Sequence, residues 1–385
     1  TIRMYELSIA LNKNEPLDNT GLDPSDYYLR CMHKKWFTQK LLHWHETDNQ
    51  RSMPWKGEQD PYKIWLSEII LQQTRVEQGT AYYEKFISHY PTVFELAKAP
   101  IDEVLKLWEG LGYYSRARNL HFTARMIQEQ YDGIFPDTYK ELLKLKGVGP
   151  YTASAIASFA FGLPHPVVDG NSLRLVSRFT GSERPIDQPS GKKWVQEFLE
   201  KRIPADSAAG FNQALMDFGA TVCKPAKPDC QHCPLASRCI AFKEGMVEEI
   251  PMKAKKLKRV ARVFHYLYAE QSAQVLIAKR DQKDIWQGLY ELPMKESDAP
   301  KPLKVEEVKE VFLLPKGSEV RLLSKGKQRL THQDLTAYFY TCSDLPQDWG
   351  HQHSGIWVDI KNLSTFGFPK LVRCFLEEKQ LTLNI

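Results

Sequence analysis

Near residue 250 the repeat of apolar residues changes from three and four positions to two, and no single helical bundle or sheet accommodates both periods. From about Lys34 to Lys243 the helical spacing recurs in Ile64 to Val76, Ile101 to Trp108, Ser115 to Gln130, Tyr139 to Leu145 and Thr152 to Phe161. Beyond Arg262, alternation marks strands at Phe264 to Ala269, Gln274 to Ala278, Leu335 to Thr341 and Gly355 to Asp359, with helices at Val305 to Phe312 and Pro369 to Glu378. Between them, Pro251 to Arg262 holds Lys253, Lys255, Lys256, Lys258, Arg259 and Arg262 with little to bury, the composition of a solvated connector. The expected fold class is a mainly α N-terminal domain followed by an α+β C-terminal domain. With 385 residues, 42% of them hydrophobic, the chain has material for two cores. We expect domains at 31–245 and 263–385, a basic linker at 246–262, and an N-terminal extension at 1–30 that carries no usable motif.

The formal net charge of +5 permits nucleic-acid binding without requiring it, so a nucleic-acid footprint must come from local placement. No run of 18 apolar residues occurs, and Thr1 to Tyr28 is mixed and polar, which argues against a membrane span or a secretory signal. The cysteines are distributed unevenly. Cys223, Cys230, Cys233 and Cys239 fall in a C-x6-C-x2-C-x5-C pattern, whereas Cys31, Cys342 and Cys374 stand alone. Four thiolates within so short a segment suit a structural iron-sulfur or zinc site in a reducing compartment better than a disulfide framework. Pro225, Pro228 and Pro234 keep the segment out of a continuous helix.

Two further segments carry chemistry. In Leu145-Lys146-Gly147-Val148-Gly149-Pro150-Tyr151-Thr152, Gly147 and Gly149 allow a tight turn and Pro150 starts a helix. That arrangement is either an ordinary αα corner or a grip in which helix-start amides meet a phosphate. In the second, Glu68 stands between Leu66 and the pair Ile69 and Ile70. An apolar setting disfavours the charged carboxylate and raises its pKa, which fits a general acid near neutral pH.

The hairpin followed by Val167-Val168-Asp169-Gly170-Asn171 resembles the helix-hairpin-helix, endonuclease III-like DNA glycosylases. Pro54-Trp55, together with Pro61-Tyr62-Lys63-Ile64-Trp65-Leu66-Ser67-Glu68-Ile69-Ile70-Leu71-Gln72-Gln73-Thr74-Arg75-Val76, is similar to the MutY branch of that superfamily. The cysteine spacing matches the family's [4Fe-4S] loop, at 223–239 here, and residues 263–385 resemble its Nudix-like C-terminal domain through Ile285-Trp286-Gln287-Gly288-Leu289-Tyr290-Glu291-Leu292-Pro293.

The resemblance implies a base-excision repair enzyme that removes adenine mispaired with 8-oxoguanine or guanine in double-stranded DNA by an SN1-like hydrolysis. Glu68 is implied as the acid that protonates adenine, and Asp169 as the carboxylate facing the sugar cation. Tyr151 and Asn171 would orient them. Relatives that also cut the strand hold a Schiff-base lysine where Tyr151 stands, so the chain is expected to be monofunctional; Lys146 is misplaced for that role. Arg51, Trp55 and Gln213 are implied as the adenine pocket. Gln73 and Tyr113 would enter the duplex, and Gly147 and Gly149 would hold a phosphate. Lys224, Lys227 and Arg238 are expected phosphate contacts of the cluster loop.

Leu330-Thr331-His332 matches the loop that reads 8-oxoguanine, with leucine in place of the family's aromatic residue. The glutamate-rich box of active Nudix hydrolases is absent, so the second domain is expected to recognise rather than hydrolyse. The expected partner is DNA carrying an A:8-oxoguanine or A:G pair, bound by a monomer that has no membrane role and works in a bacterial nucleoid or a eukaryotic nucleus. The rival readings are a bifunctional endonuclease III-like lyase, a non-catalytic damage sensor, and an active Nudix hydrolase.

Overall fold

The computed structural model describes residues 24–254, 258–343, 345, 349–352 and 354–383. Residues 1–23 of the expected extension, and Lys255 and Lys256 of the connector, lie outside the described residues. Among the described residues no strand interrupts the first half. Its helices are α1 (Pro24–Thr47), α2 (Pro61–Leu71), α3 (Val76–His89), α4 (Val93–Lys98), α5 (Ile101–Leu107), α6 (Ser115–Gln130), α7 (Tyr139–Leu142), α8 (Pro150–Phe159), α9 (Gly170–Thr180), α10 (Pro189–Glu200), α11 (Ala208–Thr221) and α12 (Ile240–Lys243). Helix α1 runs across residue 30 and so overlaps the last residues of the expected extension.

Helix α2 organises this half. Asp60 caps it by accepting the Tyr62 amide (2.9 Å), Pro61 occupies its first turn, and every residue from Ile64 to Ile70 is buried. A helix covered on all sides belongs to the interior. The pattern from Ile64 to Val76 reads as one helix but forms two, because Gln73 takes a left-handed φ of 55° after α2 ends. Arg116 fills the break: its Nη1 donates to the carbonyls of Ile69 (2.7 Å), Ile70 (2.9 Å) and Gln72 (2.7 Å), which the helix end leaves without intrahelical donors.

The helices form two apolar lobes. One joins α2, α3, α5, α6 and α8 around Trp65, Phe86, Trp108 and Ile156. The other packs α1, α9, α10 and α11 around Phe37, Val176, Phe211 and Phe218.

The second half contains β1 (Val260–Tyr268), β2 (Glu270–Gln271), β3 (Gln274–Lys279), β4 (Tyr290–Glu291), β5 (Met294–Ser297), α13 (Val305–Val311), β6 (Val320–Arg329), β7 (Gln333–Cys342), α14 (Trp349–Gln352), β8 (Gly355–Asp359) and α15 (Lys370–Leu383). One sheet has the order β5-β1-β7-β6, with β1 and β7 parallel; the other runs β2-β3-β4, with β8 also on β3. Alternation divides the first sheet by face. Phe264, Tyr266, Ala337 and Phe339 join the apolar cluster that continues into the helical half, and Val263, Leu267, Tyr338 and Tyr340 pack with Val308 of α13 and with Trp349. Arg262, assigned to the connector from sequence, instead lies within β1, where it pairs with Asp284 (2.8 Å) and Glu296 (2.7 Å).

Asn212, fully buried on α11, ties three segments together. Its Nδ2 donates to Ser158 Oγ (2.8 Å) and to the His165 carbonyl (2.9 Å), and its Oδ1 accepts the Val167 amide (2.9 Å). The segment it holds leads directly into Asp169. Asn212→Leu, close in volume, strands these groups in the interior and is expected to lower stability by about 3 kcal/mol. Urea unfolding should show a lower midpoint at unchanged slope; an unchanged midpoint would contradict this role.

Candidate active site

A cavity of about 1140 Å³ opens between the two helical lobes. Glu68 and Tyr151 reach it from α2 and α8, and Asp169, Asn171 and Gln213 from the facing lobe. Glu68 is 4% exposed, and Oε2 accepts the Tyr151 hydroxyl at 2.6 Å. Burial pushes its pKa from 4.5 to about 7; the Tyr151 hydrogen bond opposes that rise and the negative charge of Asp169 adds to it. Burial, with Glu68 and Asp169 nearby, likewise drives Tyr151 well above 10, so its hydroxyl remains a donor.

Asp169 is the N-cap of α9. Its Oδ1 accepts the Ser172 amide (2.7 Å) and its Oδ2 accepts Asn171 Nδ2 (2.7 Å). Asn171 is in turn fixed by Arg174, whose Nη2 donates to Asn171 Oδ1 (2.9 Å) and whose Nε donates to the Cys223 carbonyl (2.7 Å). Arg51 is anchored on fully buried Asp217 at 2.9 Å, with Lys56 3.3 Å from the same carboxylate. Trp55 packs edge-on against Tyr83. Gln213 lines the cavity, and its buried Nε2 has no hydrogen-bond partner among the described residues.

The hairpin residues adjoin this site. Gly147 has φ 81°, and a Cβ there would come within 2.8 Å of Asn119 Cβ; Gly149 caps α8 one residue before Pro150. Gln73 is exposed at the break between α2 and α3.

Tyr113, 42% exposed, lines a second cavity of about 480 Å³ between the two halves of the protein, together with Leu330, Thr331 and His332. Its hydroxyl is hydrogen-bonded to Thr331 Oγ1. Leu330 packs on the shared apolar cluster, which leaves Thr331 and His332 exposed. Lys224 and Lys227 are exposed as well, whereas Arg238 is half-buried over the Trp36 ring at 4.5 Å.

The four clustered cysteines line one further pocket with Arg178, whose Nη1 lies 3.6 Å from Cys223 Sγ. Burial, then the neighbouring thiols, push Cys233 up to about 12. Four sulfur donors lining one small pocket, with protons that a bound cation displaces, fit a thiolate-ligated metal centre. Among the described residues no three His, Cys, Asp or Glu side chains close on a single-ion site.

Residues 66–205 match the family described as HhH-GPD superfamily base excision DNA repair protein, and residues 265–378 match the NUDIX domain. An adenine DNA glycosylase of Buchnera aphidicola subsp. Schizaphis graminum is 32% identical over 354 residues, covering 89% of this chain and 98% of that protein. The chain belongs to the adenine DNA glycosylases. The Homo sapiens member is 40% identical over 227 residues, 56% of this chain and 41% of its own length. The solved structure of a thermostable thymine-DNA glycosylase, 32% identical, matches 55% of this chain and 98% of its own with a TM-score of 0.51.

Sequence reasoning about this glycosylase missed the supports: Arg116, Arg174, Asn212 and Asp217. The available signal was polarity inside apolar runs, as in Phe211-Asn212-Gln213-Ala214-Leu215-Met216-Asp217-Phe218.

The raised Glu68 pKa has a stability consequence of definite sign. Between pH 4.5 and about 7 the folded protein holds a proton that the unfolded chain has lost, so stability falls as pH rises through that window. Glu68→Gln does not titrate, so it should gain on the wild type from pH 5 to pH 8, by on the order of 3 kcal/mol. Urea titrations at both pH values measure this, and a constant difference would show that Glu68 is not shifted.

Proposed function

We propose that this protein releases adenine paired with 8-oxoguanine, or with guanine, from double-stranded DNA by hydrolysing the N-glycosidic bond, without cutting the strand. The observation that carries this reading is a buried, proton-holding Glu68 in the same cavity as the helix-capping carboxylate Asp169. Tyr151 occupies one oxygen of Glu68 and leaves the other to carry the proton. That proton passes to N7 of adenine, the C1′–N9 bond breaks with its electron pair leaving on the base, and the sugar becomes an oxocarbenium-like cation. Asp169, held by Ser172 and Asn171, supplies the opposing negative charge; a water then adds at C1′, and the proton it loses restores Glu68.

A base inside a duplex must be turned out to reach such a cavity. Gln213, with its unpartnered donor, and Arg51 and Trp55 at the cavity wall would hold the adenine. Gln73 and Tyr113 would fill the space it leaves. The α8 amides beyond Gly147 and Gly149 would grip a phosphate, and Lys224 and Lys227, exposed on the cysteine loop, would add phosphate contacts, while the Arg238 guanidinium stacks on Trp36. Thr331 and His332 would read 8-oxoguanine in the second cavity.

Cys223, Cys230, Cys233 and Cys239 would hold a [4Fe-4S] cluster, which when bound would cross-link the loop rather than take part in the chemistry. The second half would recognise rather than hydrolyse, because its sequence lacks the glutamate-rich box of active Nudix hydrolases. No helix among the described residues is long and apolar enough to cross a membrane, and the proposed place of action is the chromosome, in nucleoid or nucleus.

The test is a single-turnover assay on a duplex with adenine opposite 8-oxoguanine. The protein should liberate free adenine and leave a strand that breaks only after alkali. Glu68→Gln should still bind yet slow release by at least ~10³-fold. Strand cleavage through an imine trapped by borohydride would refute the monofunctional reading, and ordinary turnover by Glu68→Gln would refute the acid.

A further inference from the structure

The loop that carries Tyr113 is held by the C-terminal half at both of its ends. At its start, the Glu109 carboxylate is saturated by donors. Oε1 accepts the Phe368 amide (2.9 Å) and Arg373 Nε (3.0 Å), and Oε2 accepts Lys106 Nζ (2.6 Å) and Arg373 Nη2 (3.4 Å). Three of these four bonds cross from residues 368–373. The Glu109 and Arg373 side chains are only 18% and 16% exposed, which makes this a half-desolvated, forked pair rather than a loose surface contact. Tyr82 fixes the Glu109 carbonyl with its hydroxyl (2.6 Å).

From there the chain passes through Gly110 (φ 99°), Gly112 (φ 72°) and Tyr113 (φ 48°). Glycines have little conformational preference of their own, so contacts set the path of this loop; within the helical half Trp108 Nε1 (3.0 Å) and Arg116 Nη2 (3.3 Å) both donate to the Gly112 carbonyl, and the C-terminal half holds the two ends. The far anchor is the Tyr113 hydroxyl bonded to Thr331. The Glu68 site is lined by a different set of residues, none of them from this loop.

We propose that Glu109 is a positioning residue: through Arg373 and Phe368 it lets the C-terminal half set Tyr113, and thereby favours 8-oxoguanine over guanine opposite the excised adenine. The inference rests on the function proposed above. Its effect falls on partner choice and not on the chemistry of base release. The halves also share a continuous apolar cluster, and Lys279 bonds to Asp102 at 2.6 Å, so loss of the Glu109 charge should leave them docked.

The experiment compares single-turnover adenine release from A:8-oxoguanine and A:G duplexes for wild type, Glu109→Gln and Asp102→Asn, with melting temperatures recorded for each. Glu109→Gln should lower the ratio of the two rates by about five- to tenfold, mainly through the 8-oxoguanine substrate. Asp102→Asn, which weakens an interface pair that touches neither Glu109 nor Arg373, should leave the ratio unchanged. Arg373→Lys keeps the charge but loses the fork; it should move the ratio in the same direction and serves if Glu109→Gln fails to fold.

A wild-type ratio in folded Glu109→Gln or Arg373→Lys overturns the proposal, as does an equal change in Asp102→Asn. Absence of adenine release from the wild type would instead overturn the function on which it rests.

Discussion

The burial of α2 on every side is the constraint from which the site follows. Its apolar run from Ile64 to Ile70 closes the first lobe, and Glu68 is carried inside with it. Water cannot solvate the carboxylate there, so the proton is retained to about pH 7 against the opposing pull of the Tyr151 hydroxyl. Asp169, by contrast, stands at the start of a helix and accepts two N–H donors. Two carboxyl groups face one cavity from opposite lobes, and their different surroundings suit one to the proposed role of acid and the other to that of negative charge.

The parts of the fold governed by local periodicity were legible in the sequence. The helix Ser115–Gln130 and the strand Gly355–Asp359 have the bounds that their patterns indicate. The positions of Glu68 and Asp169 could be named because the motifs around them are local as well. What stayed hidden depends on partners distant in sequence. The end of α2 at Leu71 reflects a left-handed Gln73 supported by Arg116, which lies far along the chain on another helix. Strand β6 was not expected, because Arg321, Lys325, Lys327 and Arg329 and a register shift between Leu322 and Ser324 break its alternation at the sheet edge. Arg262 reads as part of a basic connector and becomes a strand residue only when Asp284 and Glu296 arrive beside it. Asn212 and Asp217 look like isolated polar residues until the loops they fix are folded around them.

The two halves depend on each other for a complete surface. Tyr113 belongs to the helical half and Thr331 to the other, and both line the cavity between them. Arg174 and Arg178 extend the same dependence within the helical half, since they join α9 to the carbonyls of the cysteine loop at Cys223, Lys224 and Pro225. The helix that Asp169 caps and the cysteine loop are thus connected by two buried arginines rather than by one contiguous motif.

The proposed chemistry turns on Glu68 keeping its proton up to about pH 7. Infrared difference spectroscopy of wild type against Glu68→Gln, titrated in the DNA complex, reads that carboxyl directly through its protonated C=O stretch. The band should persist at pH 6 and be half lost near pH 7. Complete ionisation already at pH 5, with adenine release undiminished at neutral pH, would contradict it.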